Sequence, residues 1–149
     1  MTVGVTFGVL VAAGAALVAQ NLLMAKISGA ASTVLVALVM NSAVGLALLS
    51  ALLLRKVGLN GLVEIAGTFR LWFVIPGLLG TFFVYASITG YQAVGAAPTI
   101  AILVSSQLVF GLAYDISRSE SLTDESFFSV IVGAVLLVAG AILILSRYR

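Results

Sequence analysis

Residues 97–114, APTIAILVSSQLVFGLAY, run for eighteen positions without a charge before Asp115 appears. A helix needs about 20 predominantly apolar residues to cross the hydrocarbon core of a bilayer. The run has that length, and Pro98 falls where a first helical turn tolerates a missing N–H. Working outward, four more runs of the same kind cover about residues 2–24, 31–54, 71–90 and 127–146. The expected fold is an all-α integral membrane protein with five transmembrane helices in a single domain, residues 1–149.

Composition supports that class. The chain is 62% hydrophobic and 8% charged, with a mean hydropathy of +1.29, whereas soluble domains are about 25% charged. So few charges cannot clothe a core in a wettable surface. There is no Cys and no His. That removes disulfides, thiolate chemistry, His-based triads and the common zinc sets, so no catalytic residue, metal or cofactor is expected. A pI near 9.3 rests on very few ionisable groups and carries no expectation of nucleic-acid binding. The first run has no Lys or Arg before it and is about 20 residues long, so it reads as a retained span rather than a cleaved signal.

The connections are uneven. Short ones are expected around residues 27–30, where Ser28 offers a labelling position, and around 91–96. Residues 55–70 are longer, with Leu59, Leu62, Val63, Ala66 and Phe69 at helical spacing. They read either as an amphipathic helix in the interface or as an ordinary loop. Residues 115–125 are polar and acidic and read as a solvated connection. Trp72 fits an interfacial anchor. Pro76, inside the third run, is expected to free backbone carbonyls that a neighbour must satisfy. Gly4 with Gly8, Gly77 with Gly80, and Gly133 with Gly140 are small-residue faces for helix or dimer packing.

Five crossings put the two ends of the chain on opposite sides. Arg55, Lys56, Arg70 and Arg118 fall on the N-terminal side, side A, while Lys26, Arg147 and Arg149 fall on side B. Positive residues set orientation and acidic ones contribute little, so four against three is almost no instruction. The expectation is dual topology: copies insert both ways and pair antiparallel. An odd number of spans also means that a head-to-tail fusion of two copies makes an inverted repeat, the arrangement that underlies many secondary transporters.

Polar groups within spans need a reason. Asn41, Ser105, Ser106 and Gln107 lie near the middle of their runs, Tyr85 a turn beyond the middle of the third, and Asn21 near the expected end of the first. Gln107, Gly111 and Tyr114 share one helix face, with Asp115 close beside it. Each residue alone reads as interhelical glue, at about 0.6–2 kcal/mol. As a set, Asn21, Asn41, Tyr85, Ser105, Ser106, Gln107 and Tyr114 are candidate substrate contacts, and Asp115 is a candidate coupling residue if it is drawn inward.

A resemblance now joins these residues. Gln20-Asn21, Gly45, Trp72 with Gly77-Leu78-Leu79-Gly80, the Gly95-Ala96-Ala97 turn, and Gln107 followed eight residues later by Asp115 together resemble the YdcZ-type family. This is a family of small bacterial inner-membrane proteins in the drug/metabolite transporter superfamily. The resemblance implies one five-helix half of a ten-helix inverted-repeat transporter, found as dual-topology single proteins, oppositely oriented pairs or fused doubles. It implies export, with Asn21, Gln107 and Asp115 as functional residues. Two departures stand out: Ile116-Ser117-Arg118 follow the aspartate where His, an aromatic and Gly are frequent, and Pro76 replaces an expected Gly.

The sequence therefore reads as a multi-pass protein of the bacterial inner membrane, exporting a small organic metabolite or drug-like solute as an antiparallel dimer. Its expected partners are that solute, membrane lipid and a second copy or a sister protein. The rivals are a small-multidrug-type exporter, weakened by the fifth helix and the missing central Glu, and a non-transporting accessory or assembly subunit.

Overall fold

In lipid no water satisfies the backbone, so an apolar chain must close its hydrogen bonds within each segment. The structure, a computed structural model, does so throughout; it describes residues 3–118 and 124–147. The elements in order are α1 (Val3–Ala30), α2 (Val34–Val57), α3 (Asn60–Thr68), a 3-10 turn (Leu71–Phe73), α4 (Val74–Ala93), α5 (Ala96–Arg118) and α6 (Asp124–Ser146). Among the described residues there is no strand. Five segments are long and apolar enough to cross a membrane: Val3–Ala30, Val34–Val57, Leu71–Ala93, Ala96–Ser117 and Phe128–Ser146. Thr2, Tyr148 and Arg149 lie outside the described residues, as do residues 119–123 of the expected acidic connection.

Several boundaries differ from the expected ones: α5 runs on to Arg118 and α6 begins at Asp124, so both take in ends of the expected acidic connection. α1 continues six residues beyond Met24, through Lys26 and Gly29 to Ala30, so Ser28 lies on a buried helix face rather than in a loop. A lysine near a helix end need not stop the helix, because its stem can lie along apolar surface while the ammonium reaches water. Between α1 and α2 only residues 31–33 remain, and Thr33 caps α2 by accepting the Leu35 N–H at 3.4 Å. α4 likewise extends to Ala93 and takes Tyr91 into the helix.

Pro76 is more easily accommodated than its place in the run suggested. The 3-10 turn precedes it, and the Val74 N–H reaches the carbonyls of Leu71 and Trp72. A continuous α-helix would have required Pro76 to donate to Trp72. With α4 beginning at Val74, Pro76 sits in the first turn, where a missing N–H costs little.

Residues 60–68 settle the choice between helix and loop in favour of a helix. α2 ends with Arg55 and Lys56 in its last turn, favourable to the helix dipole. The chain then reverses at Gly58, whose φ of 71° suits glycine and whose N–H bonds the Leu54 carbonyl at 2.9 Å. α3 comes back against α2 at Gly61, where an added Cβ would stand 2.9 Å from Leu53 Cγ. Gly61→Val should therefore cost about 1–3 kcal/mol of docking. Hydrogen exchange across residues 60–68 should speed up roughly tenfold, at 1.4 kcal/mol per decade; unchanged exchange would mean that α3 is not held there.

Two compact units make up the chain, Met1–Gln92 and Ala93–Arg149. In the first, Met24 of α1, Ala37 and Leu38 of α2 and Ile88 of α4 form the core, with Ala25, Val34 and Val84 packed around it. Gln92 Nε2 donates to the Ala25 carbonyl at 3.3 Å and ties the end of α4 to α1. In the second, α6 packs along α5 and buries Ala134 and Ala141. The small-residue seam of α6 thus runs one residue away from the expected Gly133 and Gly140. A Cβ at Gly4, Gly8, Gly77, Gly80, Gly133 or Gly140 would meet nothing within 4 Å. Among the described residues of its own unit, each of these glycines has open space where a side chain would stand.

Candidate functional site

The buried face of α1 is partly polar. Asn21, Met24 and Ser28 are its buried residues, spaced by three and four so that they form one stripe. On α4, buried Ser87 donates back to the Phe83 carbonyl at 2.8 Å. Beside Asn21 on the α1–α2 hairpin, Gln20 Nε2 donates to Asn41 Oδ1 at 3.0 Å. Gln20 is ten residues from the end of α1 and Asn41 seven from the start of α2, so at 1.5 Å per residue the pair lies about 10–15 Å inside the hairpin end. In a core about 30 Å thick that is well within the hydrocarbon.

The amide pair lies in a groove of about 510 Å³ between α1 and α2. Its other walls are small and apolar, among them Ala16, Ala19, Leu23, Ala37 and Met40. An apolar cleft with a few convergent polar groups is the usual form of a small-molecule site. The pair spends one amide hydrogen on itself, and the geometry leaves an amide carbonyl and amide hydrogens to recognise a solute. This groove can hold a neutral or amphipathic organic molecule without paying to bury an unpaired charge.

In the second unit the fourth run divides by face. Ser105 is buried, and its hydroxyl has no hydrogen-bond partner among the described protein groups. Ser106 instead bonds back to the Leu103 carbonyl at 2.9 Å. Gln107, Gly111, Tyr114 and Asp115 are exposed on the surface of the chain. At 100° per residue, Gln107 stands about 200° from Ser105, so the two cannot share a face. The expected face of Gln107, Gly111 and Tyr114 exists on α5, but within the second unit it is not buried against α6. A second groove, about 330 Å³, lies between α5 and α6 with Val109 and Ala134 in its wall. Every lining residue there is apolar, so it offers no recognition chemistry.

Of the residues expected to touch substrate, the structure brings Asn41 into the first groove and places Asn21 on the adjoining buried stripe of α1. Tyr85 is 45% exposed on α4. Gln20 lies outside the expected set of contacts, because an α1 that ends near Met24 would put it toward the membrane surface, whereas α1 runs on to Ala30. Tyr91 was also missed. Its hydroxyl is buried with no partner among the described protein groups, and it belongs to α4 rather than to the expected connection over residues 91–96. Among the described residues no group of His, Cys, Asp and Glu could hold a metal.

The family described as "Putative inner membrane exporter, YdcZ" matches residues 5–143. The chain is 50% identical over 147 residues to "Inner membrane protein YdcZ" of Escherichia coli (strain K12), covering 99% of each chain. No solved structure matches the chain.

Proposed function

The chain belongs to the YdcZ family of inner-membrane exporters, and from that premise we propose that it exports a small organic metabolite or drug-like solute as a dual-topology antiparallel dimer. The family is one of membrane transporters rather than enzymes, and the chain is a multi-pass inner-membrane protein. The solute site in this reading is the α1–α2 groove, with Gln20 and Asn41 as its recognition groups. The observation that carries it is the amide pair held at 3.0 Å inside an otherwise apolar groove.

Within the second unit, the unpartnered hydroxyl of Ser105 is a separate polar candidate on α5. The face of Gln107 and Tyr114, together with open glycines on α1, α4 and α6, supports a second copy as the missing neighbour. Two copies in opposite orientations form an inverted repeat in this reading, and exchange of their roles provides alternating access.

The experiment is a thermal-shift survey of the purified protein against small organic solutes, followed by flux of each stabilising solute in proteoliposomes. At least one solute class should raise Tm and be transported. A survey in which no stabilising solute is transported would count against the proposal. Asp115, exposed on α5, is kept as the coupling candidate. If it couples protons to export, Asp115→Asn should abolish the acceleration of flux by a pH gradient; an unchanged dependence would remove it from that role.

A further inference from the structure

We infer that residues 55–73 form a binding face for anionic phospholipid. The face begins where α2 ends. Arg55 and Lys56 occupy the last turn of α2, and the Gly58 turn lays α3 back on Leu53. α3 has nine residues, about 13 Å at 1.5 Å per residue, too short to cross a bilayer. Yet it does not present the polar surface expected of a loop in water. Leu59 is 73% exposed and Val63 70%, and beyond the helix Leu71 is 84% exposed. Apolar side chains displayed in this way, between two spans, belong in the interfacial layer of the membrane.

Charge selects the lipid. Residues 55–73 hold three cations, Arg55, Lys56 and Arg70, and one carboxylate, Glu64, a net charge of +2. The same segment, with Leu53 of α2, lines a groove of about 380 Å³ walled by Leu53, Ile65, Phe69 and Phe73, with Thr68 and Glu64 as its polar edge. All three cations stand within three residues of a groove wall: Arg55 and Lys56 after Leu53, Arg70 after Phe69. The arrangement matches an anionic phospholipid whose phosphate meets the cations while the upper part of an acyl chain lies in the groove. Glu64 opposes the headgroup charge, which makes it the natural gain-of-binding position.

Trp72 supplies the probe. It is the single tryptophan of the chain, 58% exposed, and it stands two residues after Arg70 with its ring edge-on to Phe73 at 4.4 Å. The full-length protein is reconstituted in vesicles whose phosphatidylglycerol or phosphatidylethanolamine carries brominated acyl chains, at equal mole fraction. Quenching of Trp72 then reports which lipid occupies the adjacent site. Each cation near an anionic headgroup contributes about fivefold in local affinity. Brominated phosphatidylglycerol should therefore bind at least about fivefold more strongly than phosphatidylethanolamine. The ratio should fall toward one in Arg55→Gln/Lys56→Gln/Arg70→Gln, rise in Glu64→Gln, and stay unchanged in Lys26→Gln, whose charge lies on the opposite side. A wild-type ratio near one overturns the inference, as does a preference that survives the triple substitution. If the triple variant does not fold, the wild-type and Glu64→Gln ratios decide.

Discussion

Lys26→Gln combined with Arg147→Gln should convert a mixed-orientation population into one that inserts a single way. The wild type sets Arg55, Lys56, Arg70 and Arg118 against Lys26, Arg147 and Arg149. The double substitution leaves four positive residues against one, and the K/R bias then places side A in the cytoplasm. Neither residue belongs to the groove or to the buried core, so the fold should persist. Transport by the locked variant should nevertheless disappear, because an antiparallel pair needs both orientations. The opposite lock, Arg55→Gln/Lys56→Gln/Arg70→Gln, leaves one against three and should be inactive alone. Co-expression of the two locked chains should restore export of whichever solute the wild type transports. Full activity in either lock alone would show that a single orientation suffices.

Substitution within the amide pair should have the second large effect, and it separates recognition from glue. Asn41→Leu leaves Gln20 in an apolar groove without its 3.0 Å partner. Gln20 is exposed on the chain but lies at hydrocarbon depth, where an amide left unsatisfied costs about 1–3 kcal/mol. Solute binding at that surface should weaken roughly tenfold or more, since 1.4 kcal/mol is a decade. Gln20→Leu together with Asn41→Leu removes both polar groups, and replacing both partners by apolar ones can be almost neutral for stability. If the pair is only interhelical glue, the double variant should regain both Tm and transport. If the pair recognises solute, the double variant should regain Tm but not the solute-induced shift or the flux. Flux equal to wild type in the double variant would remove the groove from the transport path.

Why the first group of features was legible and the second was not has a physical answer. The five spans could be read because bilayer thickness sets a length and hydrocarbon forbids charge, two constraints visible in any linear sequence. The helical period of Leu59, Leu62, Val63, Ala66 and Phe69 admits a helix over residues 60–68 but does not decide it against a loop, because so short a segment can take either form. Inside the bilayer that signal vanishes. Lipid-facing and protein-facing sides are both apolar, and nothing in APTIAILVSSQLVFGLAY says that Ser105 turns inward while Gln107 turns outward.

The same degeneracy moved the seam of α6 from Gly133 and Gly140 to Ala134 and Ala141. One residue is a 100° rotation, and both pairs are small. The depth of Gln20 was lost for a different reason. Lys26 resembled a helix end but lies within the last turns of α1, so the amide partner of Asn41 was placed too near the surface.

The dual-topology dimer is the central claim, and the chain offers a clean test because it contains no native Cys. Ser28 is unsuitable for a label, being buried in α1, whereas Ser32 is exposed in the connection before α2. A Ser32→Cys variant in intact cells, treated with a membrane-impermeant thiol reagent before and after permeabilisation, reports the orientation of every copy. With a charge difference of one residue, about half of the copies should react in intact cells and the rest only after permeabilisation. Labelling of all copies or of none before permeabilisation would contradict the self-paired antiparallel dimer.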